Sequence, residues 1–291
     1  MNSETKKMTL VQLFNSSIAM LTPHFGASEA RWLVRTAMEH LNGYSLTDIA
    51  LRGDSEATGW LRGKMREVIH RLLTDEPIQY IFSEASFYGL KLKVTPATLI
   101  PRPETAELVD MVVKEHDGQP DLRVLDACTG SGCIAIALAR NLPFARVDAF
   151  DVSAEALEVA RENNHTLKTN VDFFQADALA LPEPEERSYD IIVSNPPYIA
   201  EHEQAAMEPN VLNHEPHIAL FVPDNDPLKF YKAIAGYAQK ALKNGGMIYF
   251  ELNPLYADEL ARWMKGCGWQ DVQIFTDSQK HKRFMSATLS E

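Results

Sequence analysis

The chain has 291 residues, of which 45% are hydrophobic and 23% are charged, so its composition excludes a collagen-like or wholly disordered protein. Its three cysteines form no Cys-x-x-Cys pair, which excludes a disulfide framework and a zinc knuckle. The net charge of −12 argues against stable nucleic-acid binding, because that affinity comes mainly from Lys and Arg. No apolar run reaches the ~20 residues that span a bilayer and the polar start is no signal peptide, so we expect a cytoplasmic protein with no membrane partner.

Residues 1–82 are predicted to form a small helical domain. Apolar side chains recur there every three or four positions, which is typical of helices that pack against one another. The 9 basic and 9 acidic side chains of this stretch cancel, so the whole net charge lies in residues 83–291. The predicted helical stretches are 10–21, 30–41 and 65–72, and the turn residues between them are Pro23, Gly26, Gly43 and Gly53.

Residues 83–104 are predicted to link this domain to the rest of the chain through a short hairpin. The segment Phe87–Val94 alternates apolar and polar residues about a glycine, which is the pattern of two short paired strands. Two prolines then flank Arg102 and restrict the backbone to an extended form. The Arg102 side chain is therefore expected to point in a fixed direction.

Residues 105–291 alternate short strands with helices, which predicts an α/β domain built on a parallel sheet covered on both faces. The last two strands have no helix between them, so we expect them to pair antiparallel. The predicted strands are 123–127, 146–150, 171–175, 190–194, 247–252, 271–275 and 284–289. The predicted helices are 105–115, 134–141, 154–164, 228–242 and 257–267.

A glycine-containing loop, Cys128–Gly132, follows the first strand of this domain, at the sheet edge where open α/β folds bind ligands. Gly130 and Gly132 allow the backbone to approach a ligand closely. Asp151 and Asp177 end the next two strands, where one carboxylate can accept both ribose hydroxyls and the other can read an adenine amino group. The three features together indicate a cofactor that contains adenosine.

Asp126, on the strand before the loop, distinguishes between adenosine cofactors. Its negative charge would repel the pyrophosphate of a dinucleotide but suits a cationic sulfonium and amino group. The sequence also lacks both the Gly-x-Gly-x-x-Gly fingerprint and a Gly-Lys-Ser/Thr loop. S-adenosylmethionine therefore fits better than NAD, although Asp126 can also cap the following turn through backbone N–H groups.

A second loop, Asn195-Pro196-Pro197-Tyr198, ends the fourth predicted strand. Two consecutive prolines hold the loop rigid and leave carbonyl oxygens facing outward, while Asn195 adds a side-chain acceptor. Such acceptors suit an NH₂ group, and Tyr198 offers a flat face to a planar substrate. The loop thus predicts methyl transfer to a planar amino or amide nitrogen, driven mainly by positioning and polarisation.

These motifs resemble those of the bacterial peptide chain release factor glutamine N5-methyltransferases, which are class I S-adenosylmethionine-dependent enzymes. The resemblance extends over essentially the whole chain, and it implies a Rossmann-like seven-stranded sheet with a helical N-terminal substrate-recognition domain. It also implies methylation of the Gln side-chain amide in the Gly-Gly-Gln motif of class I release factors, with S-adenosylhomocysteine as product. The segments that carry it are Phe87–Gly89, Ile100–Thr105, Cys128–Gly132, Asn195–Ile199, Glu215-Pro216, Ala219-Leu220 and Phe230-Tyr231.

The resemblance assigns roles to particular residues. The loop Asn195, Pro196, Pro197 and Tyr198 would hold the substrate amide and form the catalytic site. Arg102 and Glu104 would line the substrate entrance, although an ion pair of Arg102 with Glu104 or Glu107 is an equal alternative. The expected cofactor residues are Asp126, Cys128, Thr129, Gly130, Ser131, Gly132, Asp151, Asp177, Ala178 and Asn195.

Three departures from the family pattern stand out. Cys128 occupies a position that is usually glycine, so cofactor affinity would suffer if the backbone there requires a positive φ. The segments Val222–Leu228 and Asp277–Arg283 replace stretches that usually contain glycine. These two are expected to lie away from the amide site and to bear on how a partner docks.

Two other methyl acceptors remain open at the level of sequence. The same four-residue loop serves the exocyclic amine of adenine in nucleic acids, but that reaction requires a flipped base and bound phosphates. Because the catalytic half is acidic and contains a single basic run, Lys280–Arg283, adenine methylation is the second hypothesis. The other acceptor is a glutamine of a ribosomal protein, which the motifs separate poorly from a release factor. A cofactor-binding module without activity is disfavoured because the Asn195–Tyr198 loop is intact.

Overall fold

A computed structural model describes residues 8–184 and 186–290, which divide into two compact units. One unit holds the described residues up to Phe82 together with Pro209–His214. The other holds Ser83–Glu208 and the chain from Glu215 onwards, so the predicted hairpin segment belongs to the same unit as the sheet. Across these described residues, no helix has both the length and the apolar character needed to cross a membrane.

The chain folds into α-helices and β-strands, with 3₁₀ turns at Glu201–Ala206 and His217–Ala219. The helices are α1 (Leu10–Asn42), α2 (Leu46–Arg52), α3 (Gly59–Leu72), α4 (Ile78–Phe82), α5 (Pro103–Glu115), α6 (Cys133–Asn141), α7 (Ala154–Leu167), α8 (Pro209–His214), α9 (Lys229–Ala241) and α10 (Ala257–Gly266). The strands are β1 (Glu84–Phe87), β2 (Leu90–Lys93), β3 (Arg123–Ala127), β4 (Arg146–Asp151), β5 (Val171–Gln175), β6 (Tyr189–Ser194), β7 (Ile199–Ala200), β8 (Phe221–Val222), β9 (Leu242–Glu251), β10 (Gln270–Thr276) and β11 (Lys282–Thr288).

The first unit is a helical bundle, as the spacing of apolar residues predicts. Its two longest predicted stretches are halves of α1, which is interrupted at Gly26, where φ is 77° and ψ is 162°. Pro23 remains inside the helix, so the break comes from the glycine and not from the proline. The core between α1 and α3 includes the fully buried Leu21, Leu61 and Met65.

The second unit is built on a seven-stranded sheet with the strand order β10-β11-β9-β6-β3-β4-β5. Parallel pairing joins β5, β4, β3, β6 and β9, whereas β11 runs antiparallel to both β9 and β10. The structure therefore confirms the predicted α/β sheet and its antiparallel final pair. Because β4 and β6 lie on opposite sides of β3, the chain reverses its direction of strand addition there, and a crevice opens at the strands' carboxyl ends.

The central strands are buried on both faces, which explains their continuous apolar sequence. Along β6 the residues Ile191 and Val193 face one apolar cluster, and Ile192 between them faces the other. Helices α5 and α6 cover the first face, and α9 and α10 cover the second. The central strand ends are thereby held rigidly, so the loops that follow them start from fixed positions.

Two pairs of short strands lie outside the main sheet. The predicted hairpin is formed by β1 and β2, with Tyr88 and Gly89 at positive φ in its turn. A second pair was not predicted: β7, directly after the Asn195–Tyr198 loop, runs parallel to β8. Each strand of that pair is only two residues long, too short for an alternating pattern to be visible in the sequence.

Candidate functional site

A cavity of about 310 Å³ opens at the carboxyl ends of β3, β4, β5 and β6, in the size range of small-molecule sites. Both motif loops contribute to its wall, although 63 positions separate their closest ends in the chain. The predicted residues that line it are Arg102, Cys128, Thr129, Gly130, Ser131, Asp151, Asp177, Ala178, Asn195 and Pro197. The predicted residues outside this lining are Glu104, Asp126, Gly132, Pro196 and Tyr198.

The Cys128–Gly132 loop takes three residues through the left-handed region, with φ of 62° at Cys128, 55° at Gly130 and 80° at Gly132. The two glycines serve different purposes. A Cβ on Gly130 would meet no atom within 4 Å, so this backbone faces open space at the cavity. A Cβ on Gly132 would lie 3.1 Å from side-chain carbons of Ala160 and Ile136, so this glycine permits close packing of the loop.

Asp126 stabilises this loop through hydrogen bonds. The carboxylate is fully buried, and its Oδ2 accepts from the Thr129 hydroxyl at 2.6 Å and from the Ala135 backbone N–H at 3.2 Å. Burial raises the pKa of Asp126 to about 7, and the two hydrogen bonds act against that rise. Its Oδ1 is buried without a hydrogen-bond partner among the described residues. Of the two roles predicted for Asp126, capping of the turn is therefore the one that direct hydrogen bonds support.

Asp151 and Asp177 present carboxylates along the cavity. Asp151 Oδ2 accepts from the Gly130 N–H at 2.8 Å, and Oδ1 accepts from the Ser153 N–H at 3.0 Å. Burial raises the pKa of Asp151, and the backbone N–H groups oppose that rise. Asp177 Oδ1 accepts from the Leu179 N–H at 2.9 Å. Backbone contacts thus orient both side chains, and each carboxylate oxygen keeps a further lone pair for a ligand.

The Asn195–Tyr198 loop is anchored by a side-chain network that reaches β9. Asn195 Nδ2 donates to Thr105 Oγ1 at 3.2 Å, and the Thr105 hydroxyl donates to Glu251 Oε2 at 2.7 Å. Tyr198 OH donates to the other oxygen, Glu251 Oε1, at 2.9 Å. Burial raises the pKa of Glu251, while the hydrogen bonds from Thr105 and Tyr198 lower it, as does the charge of Arg283. A buried carboxyl group thus holds both ends of the loop.

A side chain just after β9 also holds this loop: Asn253 Nδ2 donates to the Tyr198 carbonyl at 3.0 Å. The end of β9 is itself held by Tyr231 of α9, whose OH donates to the Glu251 carbonyl at 3.0 Å. The Tyr198 ring packs against the apolar cluster beneath the loop, and its hydroxyl meets Glu251. Pro196 and Pro197 are buried. The loop is therefore a rigid platform on which Asn195 and Pro197 face the cavity.

Arg102 also faces the cavity, and its ion-pair partner is Glu215 rather than Glu104 or Glu107. The Glu215 carboxylate is 4% exposed and accepts from the Ile100 N–H at 3.0 Å with its second oxygen. It thus fixes the extended segment on which Arg102 lies. Glu104 lies in the first turn of α5, where a negative charge favours the helix N-terminus.

The three departures from the expected pattern have distinct settings. Cys128 has the positive φ at which a side chain is costly. Asp224, in the first replaced segment, accepts from the exposed His202 ring at 2.8 Å. In the second, the buried Asp277 accepts from the N–H groups of Gln279 and His281, which closes the turn before β11. Both segments are thus held by side-chain hydrogen bonds.

Four residues that organise the site were not predicted from the sequence, namely Thr105, Asn163, Glu215 and Glu251. Three of them had a visible signal: Thr105 and Glu215 lie in segments that carry the family resemblance, and Glu251 is an acid at the end of a predicted buried strand, like Asp151. The contacts that all four make are with partners far away in the chain. Asn163, for instance, is buried on α7 and donates to the carbonyl of Ser131, 32 positions away.

Comparisons with known proteins match both units of this structure. A family model described as "PrmC N-terminal domain" matches residues 13–82, and one described as "Methyltransferase small domain" matches residues 105–215. A protein named "Release factor glutamine methyltransferase" from Bacteroides thetaiotaomicron is 46% identical over 246 residues, which cover 84% of this chain and 87% of that protein. The chain belongs to the release factor glutamine methyltransferase family.

The similarity extends to nearly full length in other members of the family. The relative of the same name from Chlorobaculum tepidum is 36% identical, and the match covers 97% of this chain and 98% of that protein. Among solved structures, the hMettl16 catalytic domain in complex with MAT2A 3'UTR hairpin 6 superposes with a TM-score of 0.55 at 18% identity. That match covers 77% of this chain and 81% of the other, and it supports the methyltransferase fold alone.

Proposed function

We propose that this protein transfers a methyl group from S-adenosylmethionine to the side-chain amide nitrogen of the Gln in the Gly-Gly-Gln motif of class I peptide chain release factors. The observation that carries the proposal is the position of Asn195: it lies on a rigid loop, faces the cavity and is held through Nδ2 by Thr105. Its Oδ1 is then left to accept from a substrate NH₂ group. Membership of the family supplies the substrate class.

The cavity fits S-adenosylmethionine. Gly130 faces open space with its backbone, so the loop can lie directly against a ligand. Asp151 and Asp177 would accept hydrogen bonds from the ribose hydroxyls and the adenine amine, and Ala178 leaves room beside the ring. Asp126 is fully buried beneath the loop, where burial raises its pKa to about 7, and a bound cationic ligand would favour its ionised form.

When bound, S-adenosylmethionine would supply the methyl group: the methyl carbon would bond to the amide nitrogen as its bond to sulfur breaks, S-adenosylhomocysteine would leave, and one N–H proton would pass to water. An amide nitrogen is a weak nucleophile because its electron pair is shared with the carbonyl group. Hydrogen bonds from its two N–H groups to fixed acceptors orient the nitrogen and increase its electron density. The Asn195 side chain and one main-chain carbonyl of the Pro196-Pro197 pair would be those acceptors.

The proposed substrate also bears on location and partners. Release factors act on ribosomes, so the reaction belongs in the cytoplasm. The acidic sheet unit, which holds the whole net charge of −12, disfavours binding to a nucleic acid backbone. Methylation of a nucleic-acid adenine and methylation of a ribosomal-protein glutamine are the two alternative outcomes of the test.

The test is methyl transfer from labelled S-adenosylmethionine to four acceptors in parallel. These are a purified release factor, its variant with Gln→Ala in the Gly-Gly-Gln motif, duplex DNA, and purified ribosomal proteins. Label on the wild-type release factor alone is the expected result. Label on DNA or on the Ala variant would overturn the amide assignment, and preferential label on a ribosomal protein would change the substrate.

A further inference from the structure

The side-chain amide of Asn195 has two ends with opposite hydrogen-bonding properties, and the site works only if the right end faces the substrate. The Oδ1 atom accepts hydrogen bonds, whereas the Nδ2 atom donates them. A substrate amide offers N–H donors, so it needs Oδ1. Rotation by 180° about the last side-chain bond would instead present Nδ2, which suits a carbonyl or carboxylate. Some feature of the protein must therefore fix the rotation.

The contact between Asn195 and Thr105 fixes it. Asn195 Nδ2 lies 3.2 Å from Thr105 Oγ1, and no protein donor binds Asn195 Oδ1 in residues 8–184 and 186–290. Thr105 is 2% exposed and lines the cavity beside Asn195. A hydroxyl carries one proton and two lone pairs, so by itself it can bond either end of the amide. Which end it bonds depends on where its proton goes.

The proton of Thr105 is committed to Glu251. Thr105 Oγ1 lies 2.7 Å from Glu251 Oε2, and Tyr198 OH lies 2.9 Å from Oε1, so both carboxylate oxygens accept. Glu251 is 2% exposed; burial raises its pKa, and the two hydroxyl donors and the charge of Arg283 oppose that rise. With a hydroxyl donor on each oxygen, the carboxylate accepts both hydrogen bonds and gives no proton to Thr105. The hydroxyl of Thr105 must then accept from Asn195. The hydrogen bonds therefore run in one direction, from Asn195 Nδ2 to Thr105 and from Thr105 to Glu251.

We propose that Thr105 and Glu251 are positioning residues that hold Asn195 with its Oδ1 towards the substrate, and that they thereby select an amide over a carboxylate at the methylated position. The inference rests on the proposed function, because it assigns the NH₂ group of glutamine to Asn195. Neither residue needs to touch the substrate or the cofactor in this role. A site that hydrogen-bonds an N–H group rejects analogues without one, because its acceptor is then left unpaired.

The test compares Thr105→Val with Thr105→Ser in the methyl-transfer assay on release factor. Valine has nearly the same shape as threonine but no hydroxyl, whereas serine keeps the hydroxyl and loses a methyl group. We expect kcat of Thr105→Val to fall on the order of 10²-fold, the loss typical of a misplaced group, with KM for S-adenosylmethionine within about twofold of wild type. Serine should recover most of the lost kcat, and Glu251→Gln should resemble valine.

A second readout separates positioning from a general structural role. Release factor carrying Gln→Glu in the Gly-Gly-Gln motif is used as a competitive inhibitor against unmodified release factor. In wild type the carboxylate should compete poorly, because it meets Asn195 Oδ1. In Thr105→Val and Glu251→Gln the amide can rotate, so the inhibition constant of the Glu factor relative to KM of the Gln factor should decrease at least about tenfold.

An unchanged ratio in both variants would overturn the proposal, even if their activity is low. Full activity of Thr105→Val would overturn it as well. A folded state is verified by retained S-adenosylmethionine binding, and the serine variant supplies the comparison if valine unfolds the chain. Failure of wild type to label release factor would instead reject the proposed function, so the two failures are distinguishable.

Discussion

At the scale of single residues, Cys128 combines a side chain with a backbone conformation that side chains resist. Its φ is 62°, a region that costs an L-residue roughly 1–2 kcal/mol, while the Cβ and Sγ pack at the edge of an apolar cluster. Glycine would remove the strain but lose the packing. The position therefore trades backbone strain against side-chain burial, and two substitutions separate these effects.

We predict that Cys128→Gly is more stable than Cys128→Ala by about 1 kcal/mol. Both variants lose the sulfur, but only alanine keeps the Cβ that is strained at positive φ, and this strain exceeds the entropy that glycine gains on unfolding. Urea unfolding of the two variants measures the difference. An alanine variant as stable as the glycine variant would mean that the backbone relaxes away from φ of 62°.

In the proposed function Asn195 binds the reacting amide, so its loss should separate turnover from cofactor binding. We predict that Asn195→Ala reduces kcat at least about 10²-fold, since one hydrogen-bond acceptor to the reacting amide is removed. Binding of S-adenosylmethionine should stay within about threefold, because most of the cavity wall is unchanged. Equal loss of binding and turnover would contradict the role assigned to Asn195.

At the scale of elements, α7 connects the hairpin to the loop at the cavity through Asn163. The side chain is 2% exposed; its Oδ1 accepts from the Lys93 N–H at 2.7 Å, and its Nδ2 donates to the carbonyls of Lys93 and Ser131. One residue thus satisfies main-chain groups of β2 and of the glycine-containing loop. A substitution of Asn163 in α7 should therefore alter the loop at the cavity.

We predict that Asn163→Ala lowers the free energy of unfolding by about 3 kcal/mol, because it leaves three main-chain groups unpaired. Affinity for S-adenosylmethionine should also fall, since Ser131 loses its anchor. Glu162→Gln is the neighbouring control: it removes only the exposed ion pair with Lys93 and should cost less than about 1 kcal/mol. Urea unfolding and a cofactor titration measure both variants, and equal behaviour would refute the anchoring role.

Most of the helices and strands could be predicted from local sequence. The spacing of apolar residues located β3 and β5 at their observed bounds and the helices of the sheet unit to within a few residues. It failed where the signal was too short, as for the two-residue strands β7 and β8. The break between the first two helical stretches was predicted at Pro23 and Gly26, and the structure places it at Gly26 alone, with Pro23 inside the helix.

At the scale of the whole molecule, a buried acid links stability to pH. Burial raises the pKa of Asp126 from 3.8 to about 7, so the folded protein keeps this proton up to about pH 7 and the unfolded chain releases it near pH 3.8. The folded state binds more protons between these values, and its stability therefore decreases as the pH rises through that interval. Above about pH 7 the contribution is constant.

We predict that Asp126→Asn flattens the decrease in the free energy of unfolding between pH 5 and 7. A pKa difference of about three units corresponds to about 4 kcal/mol over the full interval, and the variant should lack this contribution. Unfolding in urea without cofactor, at several pH values, gives the slope. Asp172→Asn changes an exposed carboxylate on β5 and is the control. Identical slopes for wild type and Asp126→Asn would contradict the prediction.

The sequence by itself determined the α/β architecture, the order of the strands along the chain and the loops that follow them. Carboxyl ends of parallel strands share one edge of a sheet, so Asp151, Asp177 and Asn195 could be placed beside one cavity from their positions alone. Local patterns suffice there because the strand directions fix where each loop begins.

Only the tertiary structure decided which side chains support the site. Glu251 meets Thr105 across 146 positions, and Arg102 meets Glu215 across 113. The physical reason is that such pairs form when separate elements pack side by side, and no residue near either partner specifies the other. The same applies to Pro209–His214, which lies within the sheet half of the chain but joins the helical unit. Packing between distant segments, rather than local propensity, sets those contacts.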